Sequence, residues 1–229
     1  MLPLNAKARI RLALLKIGRR MTQTQLANLN AAQSYLELGY WLRHEAGHKP
    51  EVVADDEALF SVALAKVDGA KPLYLEFGVF EGRSMRWWSQ HLRNPDARLI
   101  GFDSFQGLPD DWRPGLPAGT FATAGPPDID DDRVSFQVGW FDDTLRDFVI
   151  PDHDQLIINV DADLYSSAVT VLTWAEKHLR PGSLIYFDEF PDRDHEMRAM
   201  MEFLDRQVFD VRPIAIANGG FHWLFEVVG

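Results

Sequence analysis

The amino-acid sequence predicts a doubly wound α/β fold with a mostly parallel sheet, and three observations support this prediction. Short apolar runs alternate with amphipathic segments from Leu73 onward, which is the pattern of parallel strands joined by crossover helices. The 229 residues suffice for one large α/β domain but hardly for two. The content of 46% hydrophobic and 25% charged residues is typical of a compact globular chain.

The apolar runs predict seven strands. Five of them lie at 73–77, 98–102, 134–138, 155–160 and 183–187. The accompanying helices are predicted near 83–92, 141–148, 165–179 and 194–207. The last two runs, 210–216 and 221–228, are separated by Asn218, Gly219 and Gly220, a spacing that predicts an antiparallel hairpin at a sheet edge.

The first part of the chain is predicted to be a helical N-terminal extension, residues 1–70, which precedes the α/β domain at 71–229. Its apolar side chains recur at steps of three to five residues, and Asp55 or Asp56 is suited to cap a helix that runs through Val67. We expect the extension to cover the substrate or to contact a second subunit. A homodimer through these helices is therefore anticipated.

Charge and composition limit the partners. The net charge of −11 and the pI near 5.0 argue against nucleic acid and anionic lipid as ligands. The run from Ala6 to Arg20 mixes basic and apolar residues, so we expect an amphipathic helix that packs on protein, with membrane-surface association as the alternative. No stretch approaches the roughly 18 apolar residues of a membrane span. Without cysteine, disulfides and Cys-based zinc sites are excluded, and the cytoplasm is the expected location.

A turn between the first predicted strand and helix is the first candidate site. The strand ends at Glu76 or Phe77, the turn holds Gly78 and Gly82, and Ser84 begins the helix. Such a turn points backbone N–H groups at the ligand edge of an open α/β sheet. The spacing lacks the third glycine of the dinucleotide motif and the lysine of a phosphate loop, so the glycines could also serve only a tight turn.

Acidic residues end the neighbouring strands. Asp103 ends the second strand, about 20 residues after the glycine turn, where an acid can accept both ribose hydroxyls, although a merely solvated Asp remains the alternative. Asp161 and Asp163 follow the fourth strand, and Asp188 and Glu189 follow the fifth. These four acids at one edge repel each other unless a cation or proton intervenes, and all-oxygen ligands favour Mg²⁺, Mn²⁺ or Ca²⁺. Alternatively, the acids only cap the helices that follow.

Two further features stay open. The segment 107–132 is rich in proline and glycine and ends in an acidic run, which is typical of a lid or binding loop, although disorder is an alternative. His195 follows the last acids closely and is a candidate general base or substrate contact, or else a structural histidine near a helix start.

The ordered motifs resemble those of the macrocin O-methyltransferase family, a group of class I S-adenosylmethionine-dependent methyltransferases. The motifs are Glu76-Phe-Gly-Val-Phe-Glu-Gly82, Gly101-Phe-Asp-Ser-Phe-Gln-Gly-Leu-Pro109, Gly139-Trp-Phe-Asp-Asp-Thr-Leu145, Asp161-Ala-Asp-Leu-Tyr-Ser-Ser167 and Asp188-Glu189. The resemblance spans roughly residues 73–189. It implies a seven-stranded sheet of the Rossmann-like methyltransferase type and S-adenosyl-L-methionine as cofactor.

The resemblance also assigns roles to residues. It implies that the glycine turn surrounds the methionine part of the cofactor, Asp103 and Ser104 hold the ribose, and Trp140 borders the adenine. The cofactor-binding set it implies is Glu76, Gly78, Val79, Glu81, Gly82, Ser84, Asp103, Ser104, Trp140 and Asp161. It further implies Mg²⁺ or another divalent cation on Asp161, Asp188 and Glu189, with Asp161 or Asp163 helping to deprotonate the substrate. Glu189 departs from the family pattern, which usually has a second Asp there.

These expectations together predict metal-assisted O-methylation of a hydroxyl on a small molecule such as a sugar or natural product. One alternative is a nucleotide-binding Rossmann enzyme of another class, which would want a third glycine and a Tyr-x-x-x-Lys motif. A second alternative is a methyltransferase fold kept as a non-catalytic binding module. The clustered carboxylates argue against that alternative, because a scaffold does not need them.

Overall fold

The computed structural model describes residues 5–113 and 115–229 and has, within them, seven helices and eight strands. The helices are α1 Ala6–Gly18, α2 Gln23–His44, α3 Asp56–Leu64, α4 Arg83–His91, α5 Phe141–Asp147, α6 Tyr165–Ala175 and α7 Glu196–Asp205. The strands are β1 Glu51–Val52, β2 Pro72–Phe77, β3 Arg98–Asp103, β4 Val134–Val138, β5 Gln155–Val160, β6 Leu184–Phe187, β7 Val211–Ala217 and β8 His222–Val227. Residues 1–4 and Pro114, which fall in the predicted extension and the predicted loop, lie outside the described residues.

The strands form one sheet in the order β1-β7-β8-β6-β5-β2-β3-β4. Strand β8 runs antiparallel to β6 and β7, and the other neighbouring pairs are parallel. The chain builds outward from β2 to β4 on one side and from β5 to β6 on the other, so the direction switches between β2 and β5. Open α/β sheets bind ligands at such a switch point, outside the carboxyl ends of the strands. The predicted doubly wound fold is confirmed.

Both faces of the sheet are covered, which explains why its central strands are continuous apolar runs. All residues of β2 and β5 are buried. Helices α3 and α4 cover one face with side chains such as Phe60 and Trp88, whereas α5, α6 and α7 cover the other with side chains such as Leu145, Val171 and Met200. Each fully buried side chain of this size stabilises the fold by about 1.5–3 kcal/mol.

The structure corrects three details of the predicted elements. It adds an eighth strand, β1, which pairs parallel with β7 and covers the edge of the predicted hairpin. Two exposed residues carry no periodic pattern, so this strand could not be recognised from sequence. Helix α3 ends at Leu64 rather than Val67, and α6 ends at Ala175 rather than residue 179, because the apolar spacing continues into hydrogen-bonded turns at both places.

The N-terminal helices contribute little to the core. Helix α1 has no buried residue, and α2 buries Ser34 and Leu38 while Trp41 packs on the main core. In contrast, β1 and α3 pack with the sheet although they precede residue 70, so the predicted domain boundary stays a prediction. Among the described residues, no helix is both long enough and apolar enough to cross a bilayer.

Candidate active site

A cavity of about 990 Å³ opens at the carboxyl ends of the central strands. Its size lies at the upper end of the range for small-molecule sites. The predicted site residues that line it are Gly78, Asp103, Ser104, Trp140, Asp161, Asp163, Asp188 and Glu189. The predicted site residues absent from the lining are Glu76, Val79, Glu81, Gly82, Ser84 and His195. The acids predicted at the carboxyl ends of the strands therefore line one cavity, whereas most residues of the glycine turn do not line it.

The glycine turn is pressed against the strand that carries the acids. Gly78 has φ +95°, and a Cβ built on it would lie 1.8 Å from the backbone oxygen of Asp161. Any other residue would be strained by the positive φ, and its Cβ would collide with this oxygen. Gly82, with φ +75°, precedes α4 and would meet Pro127 with a Cβ at 2.5 Å. The first glycine thus fixes how closely the β2 turn approaches Asp161.

Glu76 and Ser84 engage each other instead of the cavity. The buried Glu76 carboxylate accepts hydrogen bonds from the Ser84 hydroxyl at 2.7 Å and the Tyr74 hydroxyl at 2.6 Å. Burial raises the pKa of Glu76 to about 7, and both hydroxyl donors oppose this shift. These contacts tie the start of α4 to β2, which supports the turn. Glu81 is exposed, and its backbone oxygen accepts a hydrogen bond from Arg86.

Asp103 holds the glycine turn through its side chain. One carboxylate oxygen accepts the backbone N–H groups of Val79 at 2.8 Å and Phe80 at 2.9 Å, and the other accepts that of Phe105 at 2.7 Å. A carboxylate offers about four acceptor positions, so about one remains for a ligand. The structure therefore leaves room for one ribose hydroxyl bond rather than the two expected from the sequence.

Ser104 and Trp140 flank the same part of the cavity from neighbouring strands. The Ser104 hydroxyl accepts the backbone N–H of Gln106 at 3.1 Å, and Trp140 immediately precedes α5 and stays partly exposed. A partly exposed aromatic ring at a cavity wall offers a flat apolar face to a ligand. Their positions are compatible with the ribose and adenine roles that the resemblance implies.

The four acids follow β5 and β6, which lie side by side in the sheet. Burial raises the pKa of Asp161 well above its usual range, and the charges of Asp188 and Asp163 add to this effect. Burial also raises the pKa of Asp163 to about 7, with Glu189 as the next contributor. The acids are therefore close enough to repel one another, as the sequence predicted.

Comparison with known proteins decides the family. A family described as a methyltransferase domain matches residues 75–190, from β2 through the acids after β6. The chain belongs to this family. It is 28% identical over 182 residues to mycinamicin III 3''-O-methyltransferase of Micromonospora griseorubida, and the match covers 68% of the chain and 69% of that relative.

Solved structures share the fold. The O-methyltransferase NovP superposes with a TM-score of 0.58 at 22% identity, covering 76% of this chain and 80% of that one. A structure of cmcI described as Mg-SAM superposes with a TM-score of 0.53 at 17% identity, covering 76% and 72%. The chain is an S-adenosylmethionine-dependent methyltransferase of the Rossmann-like type, which confirms the predicted family. A Rossmann enzyme of another class is not favoured.

The acids of the methyltransferase suit a divalent cation by donor type, because all of them offer carboxylate oxygens. In this structure, however, two of these acids contact protein side chains. Asp188 lies 2.9 Å from the Tyr186 hydroxyl and 3.0 Å from the His222 Nδ1 atom, and Arg113 donates to both oxygens of Glu189 at 2.9 and 3.3 Å. No three Asp, Glu or His side chains within residues 5–113 and 115–229 converge as a ready metal centre. Glu189 could join one only with acceptor positions that Arg113 does not use.

Two residues next to each other tie the methyltransferase's acid turns to the helices. His195 lies outside the cavity lining, and its Nδ1 accepts the first backbone N–H of α6, that of Tyr165, at 3.1 Å. Its predicted catalytic role stays a hypothesis that this position does not favour.

Sequence reasoning missed Glu196, which is 1% exposed and accepts the backbone N–H of Ala162 at 3.1 Å. An acid in the first turn of a helix that directly follows the acid-bearing segment was the available signal.

The predicted loop folds over the cavity. Leu108, Trp112 and Leu164 form a small apolar cluster between the loop and the start of α6. Leu108 and Phe121 line the cavity, and Phe121 meets Phe80 of the glycine turn with ring centroids 5.7 Å apart. Its described residues, which exclude Pro114, form no helix and only one isolated bridge, so the lid that the sequence suggested is a turn structure held by apolar contacts.

Proposed function

We propose that this methyltransferase transfers a methyl group to a hydroxyl of a small natural-product molecule, a sugar hydroxyl in particular, with the help of a divalent cation. The observation that carries the proposal is the single cavity that brings the glycine turn and Asp103 together with the four acids after β5 and β6. The relative whose name specifies a 3''-O-methylation of mycinamicin III supports the sugar hydroxyl.

The cofactor end of the cavity is formed by Gly78, Asp103, Ser104, Trp140 and the Asp161 turn. S-adenosylmethionine, when bound, supplies a methyl group on a positively charged sulfur. Asp103 has one acceptor position left for a ribose hydroxyl, and Ser104 lies next to it in the chain. Five other residues of the predicted cofactor set do not line the cavity, and their role toward the cofactor stays a prediction: Glu76, Val79, Glu81, Gly82 and Ser84.

The acidic end activates the acceptor. A hydroxyl is a poor nucleophile at neutral pH, and a divalent cation on Asp161, Asp188 and Glu189, when bound, lowers its pKa. We propose that Asp163, which lines the cavity, accepts the hydroxyl proton. His195 is the second candidate for the residue that accepts this proton.

One pair of measurements tests the proposal. Calorimetry with S-adenosylhomocysteine should show binding, and NAD should show none. Mass spectrometry should then detect one added methyl group on glycosylated natural products with a free sugar hydroxyl, but none when that hydroxyl is chemically blocked. Methylation that persists on blocked acceptors, or that occurs on nitrogen, would contradict O-methylation of the sugar.

We also propose that the N-terminal helices join two copies of the chain. The segment before Glu37 contains no acidic residue, and α1 exposes Leu14 and Leu15 beside its basic side chains, whereas the whole chain has a net charge of −11. The acidic body of a second copy is therefore a complementary partner for α1. Light scattering should show a dimer for the full chain and a monomer after removal of residues 1–20. The cytoplasm stays the expected location.

A further inference from the structure

Glu196 is a buried acid outside every set of residues that the sequence singled out. It is the first residue of α7 and is 1% exposed. One carboxylate oxygen accepts the backbone N–H of Ala162 at 3.1 Å, and the other accepts the backbone N–H of Glu189 at 3.3 Å. Both oxygens of a single side chain are thus used to hold backbone from two different loops.

The two backbone amides belong to the two turns that carry the acids. Ala162 lies between Asp161 and Asp163 after β5, whereas Glu189 follows Asp188 after β6. Glu196 therefore links the turns directly across neighbouring strands. The contact adds to the Gly78 approach, which fixes the Asp161 turn from the side of β2.

This arrangement costs free energy that a purely structural residue would avoid. The buried carboxylate of Glu196 loses its hydration, and the four neighbouring acids also repel it. The N-terminus of α7 and the two N–H donors offset part of this cost. An apolar side chain would fill the same space without the repulsion, but it could not hold both amides.

We propose that Glu196 is a positioning residue of the methyl-transfer site, which sets the spacing between the Asp161–Asp163 turn and the Asp188–Glu189 turn. The proposal rests on the proposed function, because it assigns Glu196 a role toward the acids that activate the acceptor. Glu196 itself does not line the cavity, so it acts through the backbone of the two turns.

Glu196→Gln is the central variant, because the amide keeps the shape but offers one acceptor oxygen to two N–H groups. Asp205→Asn on the same helix removes an acid at an exposed position and serves as the control. Three quantities are measured on the full chain: amide hydrogen exchange at residues 161–164 and 188–190, Mn²⁺ affinity by electron paramagnetic resonance, and S-adenosylhomocysteine affinity by calorimetry.

In Glu196→Gln we expect faster exchange confined to the two turns and a Mn²⁺ affinity lower by about 10- to 100-fold. The S-adenosylhomocysteine affinity should fall by less, because only the Asp161 turn borders the cofactor end of the cavity. Asp205→Asn should match the wild type in all three. Wild-type exchange at both turns in Glu196→Gln overturns the proposal, as does faster exchange throughout the protein, which indicates a general structural role. If Glu196→Gln does not fold, Glu196→Asp replaces it, and its shorter side chain should release at least one turn.

A wild-type chain that binds no Mn²⁺ would remove the cation from the proposed function without deciding the role of Glu196. In that case the exchange measurement decides it alone. Local release of the two turns then supports the positioning role, and its absence overturns it. The two failures are therefore distinguishable.

Discussion

The side chain of Asp103 lies 2.8 Å from the backbone nitrogen of Val79, so the acid that ends β3 holds the turn that follows β2. The same oxygen also accepts the N–H of Phe80. The residue that the sequence assigned to the cofactor therefore has a second task, which is to shape the turn beside it.

Asp103→Ala should weaken S-adenosylhomocysteine binding by about 1.5–3 kcal/mol, because the cofactor loses a charged acceptor and the turn loses its anchor. Calorimetry measures the change directly. Asp110→Ala removes a cavity-lining acid that makes no contact with the turn, and it should leave the affinity nearly unchanged. Equal losses in both variants would mean that the net charge of the cavity, and not this contact, determines binding.

Asp188→Asn and Glu189→Gln should each reduce methyl transfer by more than about 100-fold while S-adenosylhomocysteine still binds, because the cation and the sulfur occupy different parts of the cavity. Product formation and calorimetry are measured on the same preparations. Arg113→Met is the control for Glu189, since it breaks the same ion pair without removing the acid. An equal loss in that variant would show that the ion pair matters rather than a metal ligand.

Excess EDTA should also abolish methyl transfer, and added Mg²⁺ should restore it. Metal analysis must verify that the treated protein is metal-free. Full activity under these conditions would remove the cation from the mechanism and leave deprotonation to Asp163 or His195.

Gly78→Ala should lower the free energy of unfolding by more than the roughly 1–2 kcal/mol that a left-handed backbone costs a residue with a Cβ, because the new atom also collides with the Asp161 backbone. Urea denaturation measures it. Gly182→Ala is matched, since Gly182 has φ +89° with no atom within 4 Å of its Cβ position. The excess cost of the first variant reports the contact alone, and equal costs would disprove it.

The ion pair between Asp131 and Arg133 predicts that the stability of the protein depends on pH. Asp131 accepts hydrogen bonds from the Arg133 side chain at 2.6 and 3.0 Å and from Ser89 at 2.8 Å, and the Arg133 contacts hold the pKa of Asp131 below its usual range. A lowered carboxylate pKa stabilises the fold fully above the unfolded value of about 3.9, and this contribution is lost as the pH falls through the lower folded-state pKa. Asp131→Asn should therefore destabilise the protein at pH 7.

The difference between Asp131→Asn and wild type should shrink at pH 3 and below in chemical denaturation experiments. Asp130→Asn changes the exposed neighbour and should have little effect at either pH. A difference that stays constant with pH would contradict the assignment of the shift to the folded state.

The sheet could be predicted closely because most of its strands are short, mainly apolar runs. The predicted strands 134–138 and 155–160 match β4 and β5 to the residue. The end of α6 could not, because Leu179 keeps the helical spacing while its backbone already belongs to a turn, with N–H groups of His178 and Leu179 both donating to Ala175. Periodicity reports which face is buried, not where hydrogen bonding changes.

The site residues that end neighbouring strands could be predicted, because parallel strands end at the same edge of the sheet. The hydrogen-bond partners of these residues could not be predicted when they belong to loops or to the backbone. Parallel pairing alone brings Asp103, Asp161 and Asp188 to one cavity. The partner of Glu189 is Arg113, which lies 76 positions away in the long loop, and no sequence pattern predicts this pairing. The backbone amides held by Asp103 and Glu196 are equally invisible, because every residue except proline has one.

The connection from Asp103 to Val134 has one further consequence. It joins two neighbouring parallel strands, and its described residues, all but Pro114, form no crossover helix. Several of its hydrogen bonds join its own residues, such as Leu108 with Gly119 and Thr120. Doubling the length of such a loop costs only about 0.6 kcal/mol. A change in the length of this segment should therefore leave the strand register untouched, whereas its sequence is constrained where Ser104 lines the cavity and Arg113 holds Glu189.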